Sequence, residues 1–171
     1  MGDLLFNPQG RILKNRFWQG LVVLTVVSVI VTALPVYLGT MFGLLSLLLI
    51  YPYVCVYAKR FHDAGTTGWW VIAVWLGSVV LSFIEGMLLG PVFLGEEGRA
   101  IQAEAAERLS QGEFDVWMQA QERISEIMLP MSIMSVIANN AIIGFIVGSL
   151  ATEPRTNKHG PVPGEEHDEF S

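Results

Sequence analysis

The sequence predicts an all-α, polytopic integral membrane protein with four transmembrane helices. Of its 171 residues, 52% are hydrophobic and 15% are charged, whereas an ordinary soluble domain carries about 25% charged residues. The mean hydropathy is +0.49, and the apolar residues form four runs, each long enough to cross a hydrocarbon core of about 30 Å. Together with a single cysteine, these observations exclude a secreted disulfide scaffold and an ordinary soluble enzyme.

The first two spans are predicted over residues 17–38 and 41–58. Both runs are free of charged residues, and each approaches the roughly 20 residues that a spanning helix needs. Pro35 and Gly39 predict a tight turn between the two spans. Pro52 lies inside the second run, where its missing backbone donor predicts a kink in the helix.

The third and fourth spans are predicted over residues 69–94 and 128–151. Trp69 and Trp70 begin the third run, which is the usual position of indole rings at a membrane interface. Segment 96–126 between these spans is rich in Ala, Glu, Gln and Arg, which are good helix formers. We expect an extramembrane amphipathic helical segment, lying on the membrane surface or on the other spans. A connector without a function of its own is the simpler alternative.

The chain divides into a membrane domain, residues 1–151, and a tail, residues 152–171. The tail contains three prolines, two glycines and an acidic run at 165–169. Such a composition buries too little apolar surface to offset the entropy of ordering the chain. We therefore expect the tail to be partly disordered, chiefly at its end.

The distribution of basic residues predicts that both termini lie in the cytoplasm. Four spans place the two termini on one side of the membrane, and that side carries seven of the ten lysines and arginines. These seven are Arg11, Lys14, Arg16, Lys59, Arg60, Arg155 and Lys158. Basic residues near spans are retained in the cytoplasm. Segment 96–126 carries only the other three, all arginines, so it is predicted to face outward.

The cytoplasmic side gathers most of the side chains that are suited to binding. We expect it to bind anionic lipid headgroups or a partner protein, since arginine forms paired hydrogen bonds with phosphate and each cation near an anionic leaflet contributes about 1 kcal/mol. The candidate residues are Arg11, Arg16, Lys59, Arg60, His62, Asp63, Trp69, Trp70, Asn157 and Lys158. The alternative is that the cations only set the topology. For Asp63 we expect pairing with Arg60 or capping of the turn.

The turn between the second and third spans carries residues that end one helix and begin the next. Gly65 predicts a left-handed C-terminal cap, and Thr66 or Thr67 predicts an N-terminal cap of the following helix. Lys59 and Arg60 precede this turn, where cations offset the helix macrodipole. A structural account therefore explains much of this loop.

Three polar residues fall inside the predicted spans. Glu85 lies sixteen residues after Trp69, about 24 Å further along a helix, which places it in the outer third of the membrane. Asn139 and Asn140 fall near mid-membrane by the same count. An ionisable group in a span suggests a path for protons, ions or small solutes. The alternative is that the asparagines join helices and the glutamate reaches the interface.

No sequence motif for catalysis or for cofactor binding is present. The least favoured function is a membrane enzyme that acts on a lipid phosphate with His62 and Asp63. His62, Asp63 and His159 are suitable metal ligands, but no spaced pair of histidines accompanies them, so no metal site is predicted. The net charge of −6 argues against nucleic acid as a partner.

Gly144 and Gly148 have the Gly-xxx-Gly spacing by which membrane helices approach closely. We expect this pair to pack within the bundle, and the alternative is a homo-oligomer formed through the same face. The same spacing occurs at Gly39/Gly43 and at Gly86/Gly90, and such matches are expected by chance in a chain with 17 glycines.

Three stretches of the sequence are similar to one known family. They are Gly10-Arg11-Ile12 with Phe17-Trp18, then Tyr51-Pro52 with Lys59-Arg60-Phe61-His62-Asp63 and Gly68-Trp69-Trp70, and finally Asn157-Lys158-His159-Gly160-Pro161-Val162-Pro163. On these stretches the sequence resembles the bacterial inner-membrane family called domain of unknown function 805. The resemblance covers most of the chain outside residues 95–127. It implies a small protein of the bacterial cytoplasmic membrane, and it implies no particular activity.

Overall fold

The computed structural model describes residues 1–164, and within them the chain is helical with no β-strand. The helices are α1 (Gly2–Phe6), α2 (Lys14–Leu38), α3 (Ile50–Asp63), α4 (Val71–Ser110) and α5 (Phe114–Gly148), with 3-10 helices at Thr40–Leu49 and Gly68–Trp70. The acidic run at 165–169, for which disorder is predicted, lies outside the described residues.

Four helical stretches are long and apolar enough to cross a membrane. They are Lys14–Leu38, Thr40–Asp63, Gly68–Ser110 and Phe114–Gly148. The prediction of an all-α protein with four such helices is therefore confirmed. Many of their large apolar side chains are exposed, among them Val26, Trp75 and Phe83. Apolar surface of this extent suits contact with lipid rather than with water.

The turn predicted at Pro35 and Gly39 is confirmed at Gly39 and was wrong at Pro35. α2 continues through Pro35 to Leu38, and the turn is formed at Gly39 alone, whose φ is 102°. Spanning helices tolerate proline where neighbouring groups satisfy the freed carbonyl. The second span changes from 3-10 to α-helix at Ile50. Pro52 lies in the first turn of α3, two residues after this change of helix type, where no α-helical hydrogen bond is lost. The kink at Pro52 stays a prediction.

Segment 96–126 is helical, and it consists of the part of α4 that follows a break at Gly95 together with the first part of α5. α4 continues to Ser110, and α5 begins at Phe114 and enters the fourth predicted span without a break, because good helix formers lie on both sides of that boundary. Gly95, with φ 63°, divides α4 at the predicted end of the third span, and Gly112, with φ 81°, closes the turn between the helices. The location of this segment outside the membrane stays a prediction.

The best-packed part of the core lies at the bundle end where α2 begins and where α3 and α5 end. Phe17 and Leu21 from α2, Val56 from α3, and Ile143 and Val147 from α5 are buried together there. This end of the bundle also carries the polar residues considered next, so the core provides a rigid base for them.

Gly144 and Gly148 face α2 within the bundle, as expected for this pair. A Cβ atom at Gly144 would lie 2.2 Å from Leu21 Cδ2, and one at Gly148 would lie 3.2 Å from Phe17 Cε1 and from Trp18 Cε2. The missing side chains therefore allow α2 and α5 to approach closely.

Candidate functional site

The loop after α3 begins with a Schellman motif. The N–H of Thr66 donates to the carbonyl of Phe61 at 3.0 Å, and the N–H of Gly65 donates to that of His62 at 3.1 Å. Gly65 has φ 74°, the left-handed conformation in which glycine is favoured. The Thr67 hydroxyl accepts a backbone N–H of the following 3-10 helix at 3.4 Å. Both capping predictions are therefore confirmed.

Asp63 lies between two arginines at this end of the bundle. Its Oδ1 is 3.3 Å from Arg11 Nη2, and its Oδ2 pairs with Arg60 Nη1. The three side chains are at most 1% exposed. Thr152 Oγ1 donates a further hydrogen bond of 2.8 Å to Oδ2. We call Arg11, Arg60 and Asp63 the charge cluster. It confirms the pairing expected for Asp63.

Arg60 also holds the end of α5. Its Nη2 donates to the carbonyl of Leu150 and, at 3.3 Å, to that of Gly148. The last carbonyls of a helix lack intrahelical donors and carry partial negative charge, so a guanidinium is a favourable partner for them. One carboxylate and backbone carbonyls thus compensate the burial of the two terminal nitrogens of Arg60, whereas its Nε has no partner within residues 1–164.

Arg11 holds the chain that follows α5. Its Nη2 donates to the carbonyl of Glu153 at 2.5 Å, and its Nη1 donates to that of Arg155 at 2.7 Å. The N–H of Glu153 in turn donates to the carbonyl of Asp63 at 2.8 Å. The beginning of the tail is therefore attached both to the end of α3 and to the segment that precedes α2.

Two histidines stack beside the charge cluster. The rings of His62 and His159 have centroids 3.7 Å apart and planes inclined by 8°. His62 Nδ1 lies 3.1 Å from the carbonyl of Gly10, and Asn157 Nδ2 donates to the carbonyl of His62 at 3.0 Å. The three stretches that carry the family resemblance therefore meet at one place. Within residues 1–164, no three His, Cys, Asp or Glu side chains are grouped to hold a metal ion.

Lys59 is buried in a different direction and fastens α1 to α3. Its Nζ lies 3.0 Å from Asp3 Oδ2 and donates to the Asp3 carbonyl at 2.5 Å. Asn7 donates to the other carboxylate oxygen at 2.8 Å. These hydrogen bonds, from Asn7 first and then from Lys59, together with the positive charge of Lys59, lower the pKa of the Asp3 carboxyl.

The predicted binding residues separate into a buried group and an exposed group. The buried residues are Arg11, Lys59, Arg60 and Asp63. The exposed residues are Arg16, Lys158, Trp69 and Trp70, and His62 and Asn157 are half-buried. The candidate residues include five cations, of which Arg11, Lys59 and Arg60 are buried. This differs from the expectation that all five form one cationic face. The reason is that two aspartates and several backbone carbonyls satisfy most donors of the three buried cations inside the fold.

Inside the bundle, the two asparagines join α5 to other helices. Asn139 Nδ2 donates to Ser82 Oγ at 2.8 Å and to the carbonyl of Ser78 at 3.1 Å, which links α5 to α4. Asn140 Nδ2 donates to the Tyr53 hydroxyl at 2.8 Å, which links α5 to α3. The packing role that the sequence left open for the asparagines is present in the structure.

Sequence reasoning missed Tyr53 and Ser28. Their hydroxyls lie 3.0 Å apart and extend the network from α3 to α2. The signal was present in the sequence, since a hydroxyl inside an apolar span needs a polar partner. Which partner it finds depends on how the helices pack.

Glu85 makes no hydrogen bond to the two asparagines within residues 1–164. It follows Ser82 by three residues, about 4.5 Å along α4. Its Oε2 is buried and has no hydrogen-bond partner within residues 1–164. Glu85, Asn139 and Asn140 therefore do not form one hydrogen-bonded group in the described part of the chain.

A family model matches nearly the whole chain. Neither a curated protein nor a solved structure matches it. The family model, whose description is "Protein of unknown function (DUF805)", covers residues 5–161, which include the charge cluster and segment 96–126. The resemblance noted in the sequence is thereby confirmed, and the chain belongs to the DUF805 family.

Proposed function

We propose that this protein is a non-catalytic module of the bacterial inner membrane that binds anionic phospholipid headgroups at its cytoplasmic face. The observation that carries the proposal is the exposure of Arg16 and Lys158 at the bundle end that also exposes Trp69 and Trp70. In this proposal the protein spans the membrane four times, and both termini lie in the cytoplasm.

The fold supports placing these residues on one face. α2 begins close to Arg16 and α4 begins just after Trp70. Lys158 lies in the tail segment that Arg11 and the end of α3 hold in place. The exposed cations and the indoles therefore belong to the same end of the bundle.

The physical chemistry of this end suits an anionic leaflet. Lys14 and Arg155 are also exposed, which makes four surface cations with Arg16 and Lys158. The charge cluster beneath them contains two arginines and one aspartate, so it adds to the positive potential. Indole rings favour the depth of the lipid headgroups, and each nearby cation contributes about 1 kcal/mol of attraction.

The non-catalytic part of the proposal is supported by the surroundings of the residues that an enzyme would use. Asp63 is fully buried and bonded to two arginines and to Thr152. One face of the His62 ring is covered by His159. In this arrangement both residues contribute to packing, and a lipid phosphate has no direct access to Asp63.

Removal of the two exposed cations tests the proposal. In native mass spectrometry of the detergent-solubilised protein titrated with phosphatidylglycerol, the double variant Arg16→Ala with Lys158→Ala should require about 30-fold more lipid for equal adduct formation. That factor corresponds to about 1 kcal/mol for each cation. Phosphatidylcholine should bind both proteins equally.

The matched control removes two exposed arginines at the other end of the bundle. The double variant Arg99→Ala with Arg123→Ala has the same net charge as the test variant, and it should retain the lipid as the wild type does. Headgroup recognition would be contradicted if both double variants lost phosphatidylglycerol binding equally. It would also be contradicted if the wild type bound the two lipids equally. Co-purification of a protein that the test variant releases would assign the face to a partner instead.

A second candidate function, transport, is favoured by the buried Oε2 of Glu85, which has no partner within residues 1–164. A carboxyl group with a buried oxygen that lacks a partner is a candidate proton carrier. If Glu85 carries protons, Glu85→Gln should abolish proton flux into proteoliposomes, whereas Glu104→Gln, at an exposed site, should not. Unchanged flux in Glu85→Gln, or no flux in the wild type, would remove this function.

A further inference from the structure

A cavity of about 480 Å³ lies among α2, α3, α4 and α5. Apolar residues of α3 and α4 form much of its wall, including Val54 and Ile72. Polar side chains line it from all four helices, and those of α5 are Ser135, Asn139 and Asn140. This size, and a mainly apolar wall with a few polar groups, are typical of small-molecule sites, which occur between the helices of bundles.

The cavity is accessible from the side of the bundle. Among its lining residues, Ile50 of α3 and Ile72 and Trp75 of α4 are 44%, 50% and 61% exposed. α3 and α4 make few contacts with each other. The entrance therefore lies between two helices that are apolar enough to span a membrane, so a ligand would enter from the lipid phase.

The polar wall of the cavity has unused hydrogen-bonding capacity. Both N–H groups of Asn139 are directed to Ser78 and Ser82, which fixes the orientation of the amide. Its Oδ1 has no donor within residues 1–164, and the Ser135 hydroxyl has no hydrogen bond there either. An amide oxygen without a donor in an apolar environment is costly, so a ligand that supplies a donor is favoured.

These features specify the chemistry of the ligand. The residues that line the cavity include no charged side chain, so an ionic head is disfavoured. A simple acyl chain offers no donor to Asn139. We propose that the cavity binds a neutral lipid-soluble alcohol, whose aliphatic body lies against α3 and α4. Its hydroxyl donates to Asn139 Oδ1 and accepts a hydrogen bond from Ser135. This site is separate from the headgroup face and does not depend on it.

Photolabelling tests the site. The purified protein, in nanodiscs, is labelled with dodecanol that carries a diazirine in its alkyl chain, and the labelled peptides are mapped by mass spectrometry. Saturable labelling is expected on the peptides that contain Val54, Ile72 and Trp75. Unlabelled dodecanol should compete about tenfold better than its methyl ether, which keeps the oxygen acceptor and lacks the donor. A tenfold factor corresponds to about 1.4 kcal/mol, which is at the upper end of the net contribution of one neutral hydrogen bond.

Variants of the polar wall complete the test. Asn139→Leu should weaken saturable labelling about tenfold. Because Asn139 also joins helices, Ser135→Ala provides a second variant, and Ser132→Ala on the same helix is its matched control. Ser132 does not line the cavity and donates to the carbonyl of Met128. Labelling should fall in Ser135→Ala and stay unchanged in Ser132→Ala.

The contrary outcomes are distinct. Equal competition by the alcohol and the ether would show that the cavity accepts any alkyl chain, and would overturn the proposal. Absence of saturable labelling at the cavity would show that it holds only water or bulk lipid, and would also overturn it. Equal labelling of Ser135→Ala and Ser132→Ala would do the same, whether or not Asn139→Leu folds.

Discussion

Asp63→Ala is expected to lower the free energy of unfolding by about 3–5 kcal/mol. The substitution removes the only carboxylate of the charge cluster and leaves Arg11 and Arg60 buried without a counter-charge. Thr152 also loses its acceptor. The loss should be measured by unfolding in mixed micelles that contain increasing proportions of sodium dodecyl sulfate, or as a fall in the thermal unfolding midpoint.

Glu104→Ala is the matched control for Asp63→Ala, because it also removes a carboxylate from an arginine pair. Glu104 Oε1 lies 3.7 Å from Arg108 Nη2, but the two side chains are 66% and 43% exposed. Exposed pairs of this kind contribute about 0–1 kcal/mol. If both variants lost the same small amount of stability, the charge cluster would be hydrated in solution, and its structural role would be refuted.

Replacement of the whole charge cluster distinguishes charge imbalance from lost packing. The triple variant Arg11→Met, Arg60→Met and Asp63→Leu leaves no buried charge at the cluster. Apolar replacement of a complete buried ion group is often neutral or stabilising. We therefore expect the triple variant to be more stable than Asp63→Ala. A triple variant that is less stable than Asp63→Ala would show that the hydrogen bonds to backbone carbonyls dominate.

Gly144→Val is expected to lower the free energy of unfolding by about 1–3 kcal/mol through overpacking. Even a Cβ at this position would lie 2.2 Å from Leu21 Cδ2 and 3.4 Å from Trp18 Cζ3. Leu21 is only 2% exposed, so it has little space into which to move. Thermal unfolding of the detergent-solubilised protein would measure the effect as a lowered midpoint.

Gly86→Val is the control for the loss of a glycine within a helix. Gly86 belongs to a second Gly-xxx-Gly pair, and a Cβ there would meet no atom within 4 Å. Because valine forms helix at least as well as glycine, the stability should change by about 0.5 kcal/mol or less. If Gly86→Val were as destabilising as Gly144→Val, the branched side chain rather than the close approach of α2 and α5 would be responsible.

The local features of the fold could be predicted from the sequence. Four apolar runs predicted four helices able to span a membrane, because hydropathy and length are properties of contiguous residues. Gly65 and Thr67 predicted caps, since a cap depends on residues within one turn of the helix end. The break at Gly95 lies where the third span was predicted to end, whereas the unbroken passage of α5 into the fourth predicted span could not be foreseen, because helix-forming residues continue on both sides of that boundary.

The candidate site could be predicted only in its residue types. The four predicted spans assigned Arg11, Arg60 and Lys158 to the same predicted side of the membrane. The sequence could not show that Arg60 is buried, whereas Lys158 is exposed. The difference arises from partners that are distant in the chain, since Arg11 meets Asp63 across 52 residues and Arg60 meets the carbonyl of Leu150 across 90.

The sequence by itself determined the helical class, the number of apolar helices, the caps around Gly65 and the membership of the DUF805 family. The tertiary structure alone decided which polar groups are satisfied inside the fold. Asp63 is shared between two arginines, and Tyr53 joins Asn140 across 87 residues. The physical reason is that the apolar content of a span depends only on contiguous residues. The cost of burying a polar group depends instead on partners that only folding brings together.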